Sequence, residues 1–285
     1  MRFGGNTPLN AGEVIDARGR GGFGFPLLFG GFGIFGIIAL LWLLGVFGGG
    51  SSSSTNVAGS DDLSAECTTG AAAAQNADCR VVAVVDSVQS YWSSELPKQG
   101  AHYVNAPTVL YTDGISTGCG FAASADGPFY CPADKRVYLD LSFFSDLHTQ
   151  FGATGGPMAQ AYIIAHEYGH HVQDLLGVFN RIGRPTNGPT GTSVRLELQA
   201  DCYAGVWMHH AEDTKFIEDV TPADIQDALN AAAAVGDDRI EQTETGKVQP
   251  DTFTHGTSDE RDRWLTRGET SGNPGDCDTF SAASL

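Results

Sequence analysis

Apolar residues that recur every three or four positions predict the first long helix of this chain, over 71–96. Its apolar face carries Val81, Val84, Val85, Val88 and Trp92. Two shorter stretches, 107–112 and 136–141, are rich in β-formers and are bounded by turn residues, which is typical of strands. The pattern therefore predicts one amphipathic helix followed by a small sheet.

Three more helices follow the predicted strands. One runs over 157–176 and is ended by Gly177, and the next covers 194–213 with Ser193 as its N-cap. The last begins at Thr221, a second N-cap, and stops at Gly236. The end of the chain, 246–285, is polar and predicts loops, with one compact motif around His255. The fold class we expect is α+β, mainly helical, with the small sheet before the central helix.

A long uncharged segment precedes all of these elements. No charged residue occurs from Gly21 to Gly50, and the apolar core 27–47 would rise about 30 Å as a helix, the thickness of the bilayer hydrocarbon. A cleaved signal peptide is the main alternative, but its apolar region is usually only about 7–15 residues long. We therefore predict one transmembrane signal-anchor at 23–48, followed by a flexible Gly/Ser-rich tether at 49–62.

Charge and cysteines predict the topology. Arg2, Arg18 and Arg20 precede the uncharged segment, and the next basic residue is Arg80, so the positive-inside rule predicts a cytoplasmic segment at 1–22. The domain at 63–285 would then be extracytoplasmic, in a single-pass protein of the cell membrane. All six cysteines lie in that domain, as expected in an oxidising compartment.

Composition restricts the classes of binding partner but does not determine which cysteines pair. The formal net charge is −18, with basic residues outnumbered 34 to 16, so we expect no binding to nucleic acid. The cysteines at 119 and 131 flank a Gly-Pro turn and could staple a hairpin. The full pairing that we expect is 67–79, 119–131 and 202–277, which is one of 15 that six cysteines allow.

The motif His166-Glu167-Tyr168-Gly169-His170 carries the clearest chemistry. Residues four apart lie on one face of a helix, so His166 and His170 could bind one metal ion. Glu167 is turned by about 100° and could reach a water at that metal without being a ligand. A partly exposed helix with two surface histidines is the alternative, but the apolar run at 161–165 indicates burial.

A third ligand is needed for a catalytic zinc site. Glu197 and Asp201 are again four residues apart on a predicted helix. Glu197 would complete a two-histidine, one-glutamate set, and Asp201 could accept a hydrogen bond from the far ring nitrogen of a ligand histidine. His171 and Cys202 point away from the ligand faces by the helix period, and Cys202 is better explained as half of a disulfide.

The sequences HEYGHHVQ and ELQADCYAGVW resemble the bacterial family of putative neutral zinc metallopeptidases. The resemblance extends to GPFYCPADKRVYLDL, AAAAVGDDR, FTHGTSDERDRW and, near the start, VIDARG. It implies a membrane-anchored, zincin-like metallopeptidase domain with Zn²⁺ bound by His166, His170 and Glu197. It also implies that Glu167 is the general base and that Asp201 supports a ligand histidine.

The function we expect is therefore zinc-dependent hydrolysis of a peptide or protein substrate outside the cytoplasmic membrane. By analogy with zincins, the strand 136–141 would form the edge of the cleft. His255 could donate to the developing oxyanion, or it could be a structural histidine. Two alternatives stay open: a membrane-tethered binding module with a structural or vestigial zinc site, and a zinc amidase that cleaves peptidoglycan.

Overall fold

A computed structural model describes residues 1–19 and 61–285 of the chain. The predicted transmembrane segment at 23–48 and nearly all of the tether at 49–62 lie outside these residues. Among the residues that are described, no helix is both long enough and apolar enough to cross a bilayer.

Helices dominate the described part of the chain, as the apolar pattern predicts. The early ones are α1 (Asp61–Glu66), α2 (Gly70–Ala73) and α3 (Ala77–Glu95), so the predicted helix 71–96 is broken before Asn76, which caps α3. The central ones are α4 (Ser142–Thr149), α5 (Pro157–Leu175), α6 (Val178–Ile182) and α7 (Thr192–His210). The last are α8 (Pro222–Ala234), α9 (Asp237–Thr245) and α10 (Ser258–Ser271).

Short strands form one mixed sheet and two small ribbons. The strands are β1 (Arg2–Phe3), β2 (Val14–Asp16), β3 (Thr108–Tyr111), β4 (Gly114–Thr117), β5 (Gly120–Ala123), β6 (Phe129–Cys131), β7 (Arg136–Asp140) and β8 (Ile217–Glu218). The four-stranded sheet has the order β2-β3-β7-β6, with β6 antiparallel to β7 and the other pairs parallel. β1 pairs with β8, and β4 pairs with β5.

Two predictions about these elements are wrong. The strand over 136–141 does not form an edge, because β7 lies between β3 and β6, and β6 is the edge strand. Ser193 is not an N-cap, since α7 begins at Thr192 and is capped by Gly191. The first error concerns which strands are neighbours in space, and the second concerns a single residue at a helix end. An apolar pattern specifies neither.

The chain after residue 246 is not all loop, which corrects a third prediction. α10 packs along α7 and buries Arg261, Trp264, Leu265 and Gly268. Its start is marked by a capping box, in which Thr257 and Glu260 bond each other's backbone N–H groups. The two helices approach closely at glycine: a Cβ on Gly268 would overlap the carbonyl oxygen of Cys202 and lie 2.8 Å from the backbone nitrogen of Val206.

The first residues of the chain belong to the same fold as the rest. This corrects the prediction that residues 1–22 form a segment separate from the main domain. β1 pairs with β8 and β2 pairs with β3, so residues 2–16 supply strands to sheets of the main domain. Val14 is fully buried against the core, and Asp86 on α3 accepts a hydrogen bond of 2.7 Å from the backbone N–H of Asn10.

Three disulfides join all six cysteines in the pairing that we expected. They link Cys67 to Cys79, Cys119 to Cys131 and Cys202 to Cys277. The second attaches the β4–β5 hairpin to the edge strand β6, and the third attaches the C-terminal tail to α7.

Candidate metal centre

The crossing of α5 and α7 brings the predicted ligand residues together. Gly169 lies at the contact, where a Cβ would be 2.9 Å from the carbonyl oxygen of Ala200. Any larger side chain would separate the two helices here, so glycine permits an approach close enough for His166 and His170 on α5 to meet Glu197 on α7. The local reason for the site is thus one small residue at the contact between two helices, each of which carries a pair of functional residues four positions apart.

His166, His170 and Glu197 form one cluster of candidate ligand atoms, all within 4.8 Å of one another. The Nε2 atom of His166 lies 3.1 Å from one carboxylate oxygen of Glu197, and the Nε2 atom of His170 lies 3.5 Å from the other. Two imidazole nitrogens and a carboxylate are donors that suit Zn²⁺. The donor set and its convergence therefore fit a zinc ion with three protein ligands.

Each histidine is held by an acceptor on its far side. The Nδ1 atom of His166 is 2.8 Å from Asp201, and that of His170 is 2.8 Å from the side-chain oxygen of Gln173. Because both partners are acceptors, each Nδ1 carries the hydrogen in the neutral ring, and each Nε2 presents its lone pair toward Glu197. Gln173, three residues after His170, was missed in the sequence analysis, although its position on the helix face could have suggested it.

A buried arginine stabilises the charge of Asp201. The guanidinium of Arg261 donates two hydrogen bonds to Asp201, of 2.9 and 3.0 Å, and its side chain is only 4% exposed. The Tyr162 hydroxyl donates a third, at 2.6 Å. Burial would raise the pKa of Asp201, but Arg261 and then His166 outweigh it and lower this pKa to about 2. Asp201 therefore stays ionised behind the candidate ligand His166.

The electrostatics of the ligand cluster favour a cation. Burial works against protonation of His166, yet Asp201 and Glu197 raise its pKa to about 10. Burial works against ionisation of Glu197, yet His170, His166 and His255 hold its pKa well below the usual value. With no metal bound, a proton on His166 takes the place of positive charge that a metal ion would supply.

Glu167 lies beside the candidate ligands and is only 7% exposed. Burial raises the pKa of its carboxyl, while His166 and His170 act in the opposite direction. The backbone of Tyr130, on the edge strand β6, also acts to lower this pKa. A buried carboxylate with a raised pKa next to a candidate metal is suited to accept and return a proton.

His255 enters the same cleft from the loop before α10. Its Nδ1 atom is 3.0 Å from Asp237, which also accepts backbone N–H bonds from Thr254, His255 and Gly256, all within 2.9 Å. Burial lowers the pKa of His255, but Asp237 and then Glu197 outweigh it, and the net shift is upward. The imidazole therefore keeps a proton over a wider pH range than an ordinary histidine. Asp237 was not anticipated from the sequence.

The cleft past these side chains is mainly apolar. It is lined by residues from β6, α4, α5, α6, α7 and the loop before α9, including Phe129, Phe143, Ile163, Phe179, Leu196 and Val235. Arg261 is the only lysine or arginine among the described residues that line it, and Asp201 already binds that guanidinium. The cleft thus offers apolar surface beside the ligand cluster and a strand edge opposite α5.

The other histidine and cysteine candidates lie away from the cluster, as the helix period indicates. His171 is buried and contacts the carbonyl oxygen of Val104, at 2.6 Å, and the Tyr130 hydroxyl. Cys202 is disulfide-bonded to Cys277. His209 and His210 lie at the far end of α7.

Known proteins resemble nearly the whole chain. A family model described as "Putative neutral zinc metallopeptidase" matches residues 4–280. A Mycobacterium tuberculosis protein named "Uncharacterized protein Rv2575" is 50% identical over 256 residues, which cover 85% of this chain and 86% of the relative. The Escherichia coli K12 protein named "Uncharacterized protein YpfJ" is 46% identical over 202 residues, which cover 69% of each. No solved structure matches the chain.

Proposed function

Because this chain belongs to the family described as "Putative neutral zinc metallopeptidase", we propose that it hydrolyses peptide bonds with a zinc ion held by His166, His170 and Glu197. The observation that carries the proposal is the position of Glu167, whose buried carboxylate lies beside the ligand histidines and faces the cleft. A closed structural zinc site needs neither a base nor a cleft.

The residues around the ligands have separable tasks. When bound, zinc would act as a Lewis acid toward the substrate carbonyl and lower the pKa of the attacking water. Glu167 accepts the proton of that water and returns it to the leaving amine. His255, whose pKa is raised by Asp237, donates to the oxygen on which negative charge develops. Asp201 holds the ring of His166 in place, and Arg261 compensates the charge of Asp201.

The substrate we propose is an extended peptide with apolar side chains, cut at an internal bond. The strand β6 is the edge of the described sheet, and its residues Phe129 and Tyr130 line the cleft, so this edge can pair with an extended backbone. Ile163 and Leu196 line the cleft close to the ligands and suit apolar side chains. The guanidinium of Arg261 is already paired with Asp201, so it does not offer a binding site for the terminal carboxylate of a peptide. This favours cleavage at an internal bond.

We place this activity outside the cytoplasmic membrane. The three disulfides support this location, because disulfides persist in oxidising compartments and are rare in the cytosol. The uncharged segment 21–50 supports attachment to a membrane.

The substitution Glu167→Gln tests the proposal. It keeps the size and polarity of the side chain but removes its ability to take a proton, so activity on casein or a quenched peptide library should fall at least 10²-fold. Zinc content and thermal stability should stay close to those of the parent. Glu244→Gln, an exposed glutamate on α9, is the matched control and should cleave at the parental rate.

Two outcomes would contradict the proposal. A Glu167→Gln protein that cleaves at the parental rate would show that the carboxylate is not the base. Zinc-loaded parent that cleaves no peptide but opens amide bonds of purified peptidoglycan would assign the site to cell-wall hydrolysis instead.

A further inference from the structure

The first 19 residues are hydrogen-bonded into the catalytic domain along their whole length. Beyond the strand pairs, backbone bonds run from Gly4 to Phe216, from Leu9 to Thr68 and from Ala17 to Leu110, all between 2.8 and 3.1 Å. The partners of these residues are spread over most of the domain. The segment therefore fills a place in the fold and is not an appendage of it.

Side chains secure the same segment. Glu13 accepts hydrogen bonds from Gln89, at 3.3 Å, and from Asn105, at 3.0 Å. Arg18 binds Asp78 at the first turn of α3 through two bonds, of 3.0 and 2.6 Å, and also binds Asp16. Two buried apolar residues, Ala11 and Val14, complete the contact with the core.

Both ends of the undescribed stretch 20–60 attach near the start of α3. On one side, Arg18 is bound to Asp78. On the other, α1 is followed by Cys67, whose disulfide to Cys79 ties it to the same turn of α3. The chain thus leaves the domain and returns to it at neighbouring points.

We propose that residues 1–19 and 61–285 lie in one compartment, on the outer side of the membrane. Hydrogen bonds of 3 Å cannot join segments that are separated by a hydrocarbon layer of about 30 Å, so the fold requires both parts on one side. The three disulfides identify that side as the oxidising one. This inference concerns topology alone and does not depend on the proposed peptidase activity.

The proposal departs from the single crossing predicted at 23–48, because both flanks of that segment would lie on one side. It also departs from the charge rule, for a physical reason. The rule counts Arg2, Arg18 and Arg20 as a cytoplasmic signal. In the folded protein, Arg18 is compensated by two aspartates, and Arg2 is paired with Asp219. Two of the three charges therefore have partners in the domain and serve its fold.

Single cysteines in the full-length chain test the proposal. All six native cysteines are in disulfides, so an added cysteine supplies the reactive thiol. Asn6→Cys probes an exposed position in the N-terminal segment, and Glu244→Cys is the matched probe in the main domain. In spheroplasts treated with a membrane-impermeant maleimide, both should be labelled to within twofold, while a cytosolic marker stays unlabelled until lysis. Labelling of Glu244→Cys with protection of Asn6→Cys would overturn the shared compartment.

A cross-link tests the same point through the fold itself. Arg2 and Glu218 face each other in the β1–β8 pair, so the double variant Arg2→Cys/Glu218→Cys should form a fourth disulfide in cells. Arg2→Cys/Glu244→Cys is the control and should keep two thiols. If the Arg2→Cys/Glu218→Cys pair stays reduced in protein that retains its three native disulfides, residues 1–19 are not docked in the oxidising compartment, and the proposal fails.

Discussion

Replacing Arg261 by methionine removes the one cation that faces Asp201 from α10. Methionine has a similar length and is flexible enough to fill the same space, so the change tests charge more than volume. Asp201 is fully buried and would keep only the Tyr162 hydroxyl, at 2.6 Å, and the ring of His166, at 2.8 Å. The carboxylate would be left without its strongest partner in a low-dielectric site.

The structure sets the size of the expected effect. Breaking a buried ion pair from one side costs roughly 3–5 kcal/mol, because the remaining charge is left uncompensated. Removing both charges together, in Arg261→Met/Asp201→Asn, should cost less than the sum of the two single variants by at least about 1.5 kcal/mol. Such coupling follows from the two hydrogen bonds of 2.9 and 3.0 Å that join the side chains.

Urea unfolding of the four proteins measures this cycle, with zinc removed by chelation so that metal binding does not contribute. At a slope of about 2–3 kcal/mol per M, the Arg261→Met midpoint should fall by about 1–2.5 M. Arg263→Met, at an exposed position on the same helix, is the control for the loss of an arginine. A loss below 1 kcal/mol for Arg261→Met, or additivity of the two changes, would refute the argument that this pair stabilises the site.

Three further predictions concern packing, pH and metal. Gly268→Ala should destabilise the protein by about 1–3 kcal/mol although alanine has the better helix propensity, because the added methyl group overlaps α7. Thr266→Ala, on the exposed side of α10, is the control and should not destabilise the protein, and calorimetry measures both variants. Burial raises the pKa of Asp86 to about 7, so folding favours its protonated form and the parent loses up to about 4 kcal/mol of stability as pH rises from 4 to 7. Asp86→Asn should not show this loss, so its stability relative to the parent should increase between pH 4 and pH 7 in unfolding titrations. Parallel stability profiles of the two proteins over this pH range would contradict the prediction. Asp201→Asn should weaken zinc affinity roughly 10–100-fold in competition with a chelator, and unchanged affinity would show that the hydrogen bond to the ligand ring is unimportant.

Residues that act through helical spacing could be predicted from the sequence. His166 with His170 and Glu197 with Asp201 are each four apart, and the helix period alone places each pair on one face. The close approach of the two helices at Gly169 then brings the pairs together, and this contact is not visible in either motif alone.

Residues that act through distant partners could not be predicted in this way. α10 has few apolar residues, and its buried face includes Arg261, whose partner lies 60 residues earlier. An arginine normally indicates an exposed face, so the pattern predicted a loop. The capping box at Thr257 was the local signal that could have revealed the helix. The strands at 2–3 and 14–16 are too short for any periodicity, and only their pairing partners define them.

The disulfide between Cys202 and Cys277 gives one part of the site its own dependence on redox conditions. The loop that it closes spans 75 residues and contains Asp237, His255 and Arg261, but neither ligand histidine nor Glu197. Closing a loop of this length lowers the chain entropy of the unfolded state by an amount worth about 4–5 kcal/mol. When the bond is reduced, the part of the chain that contains Asp237, His255 and Arg261 loses this stabilisation, while α5 and α7 keep their direct contact. Local unfolding of 237–277 would then leave the candidate ligand cluster of His166, His170 and Glu197 in place but remove His255 and Arg261 from the cleft.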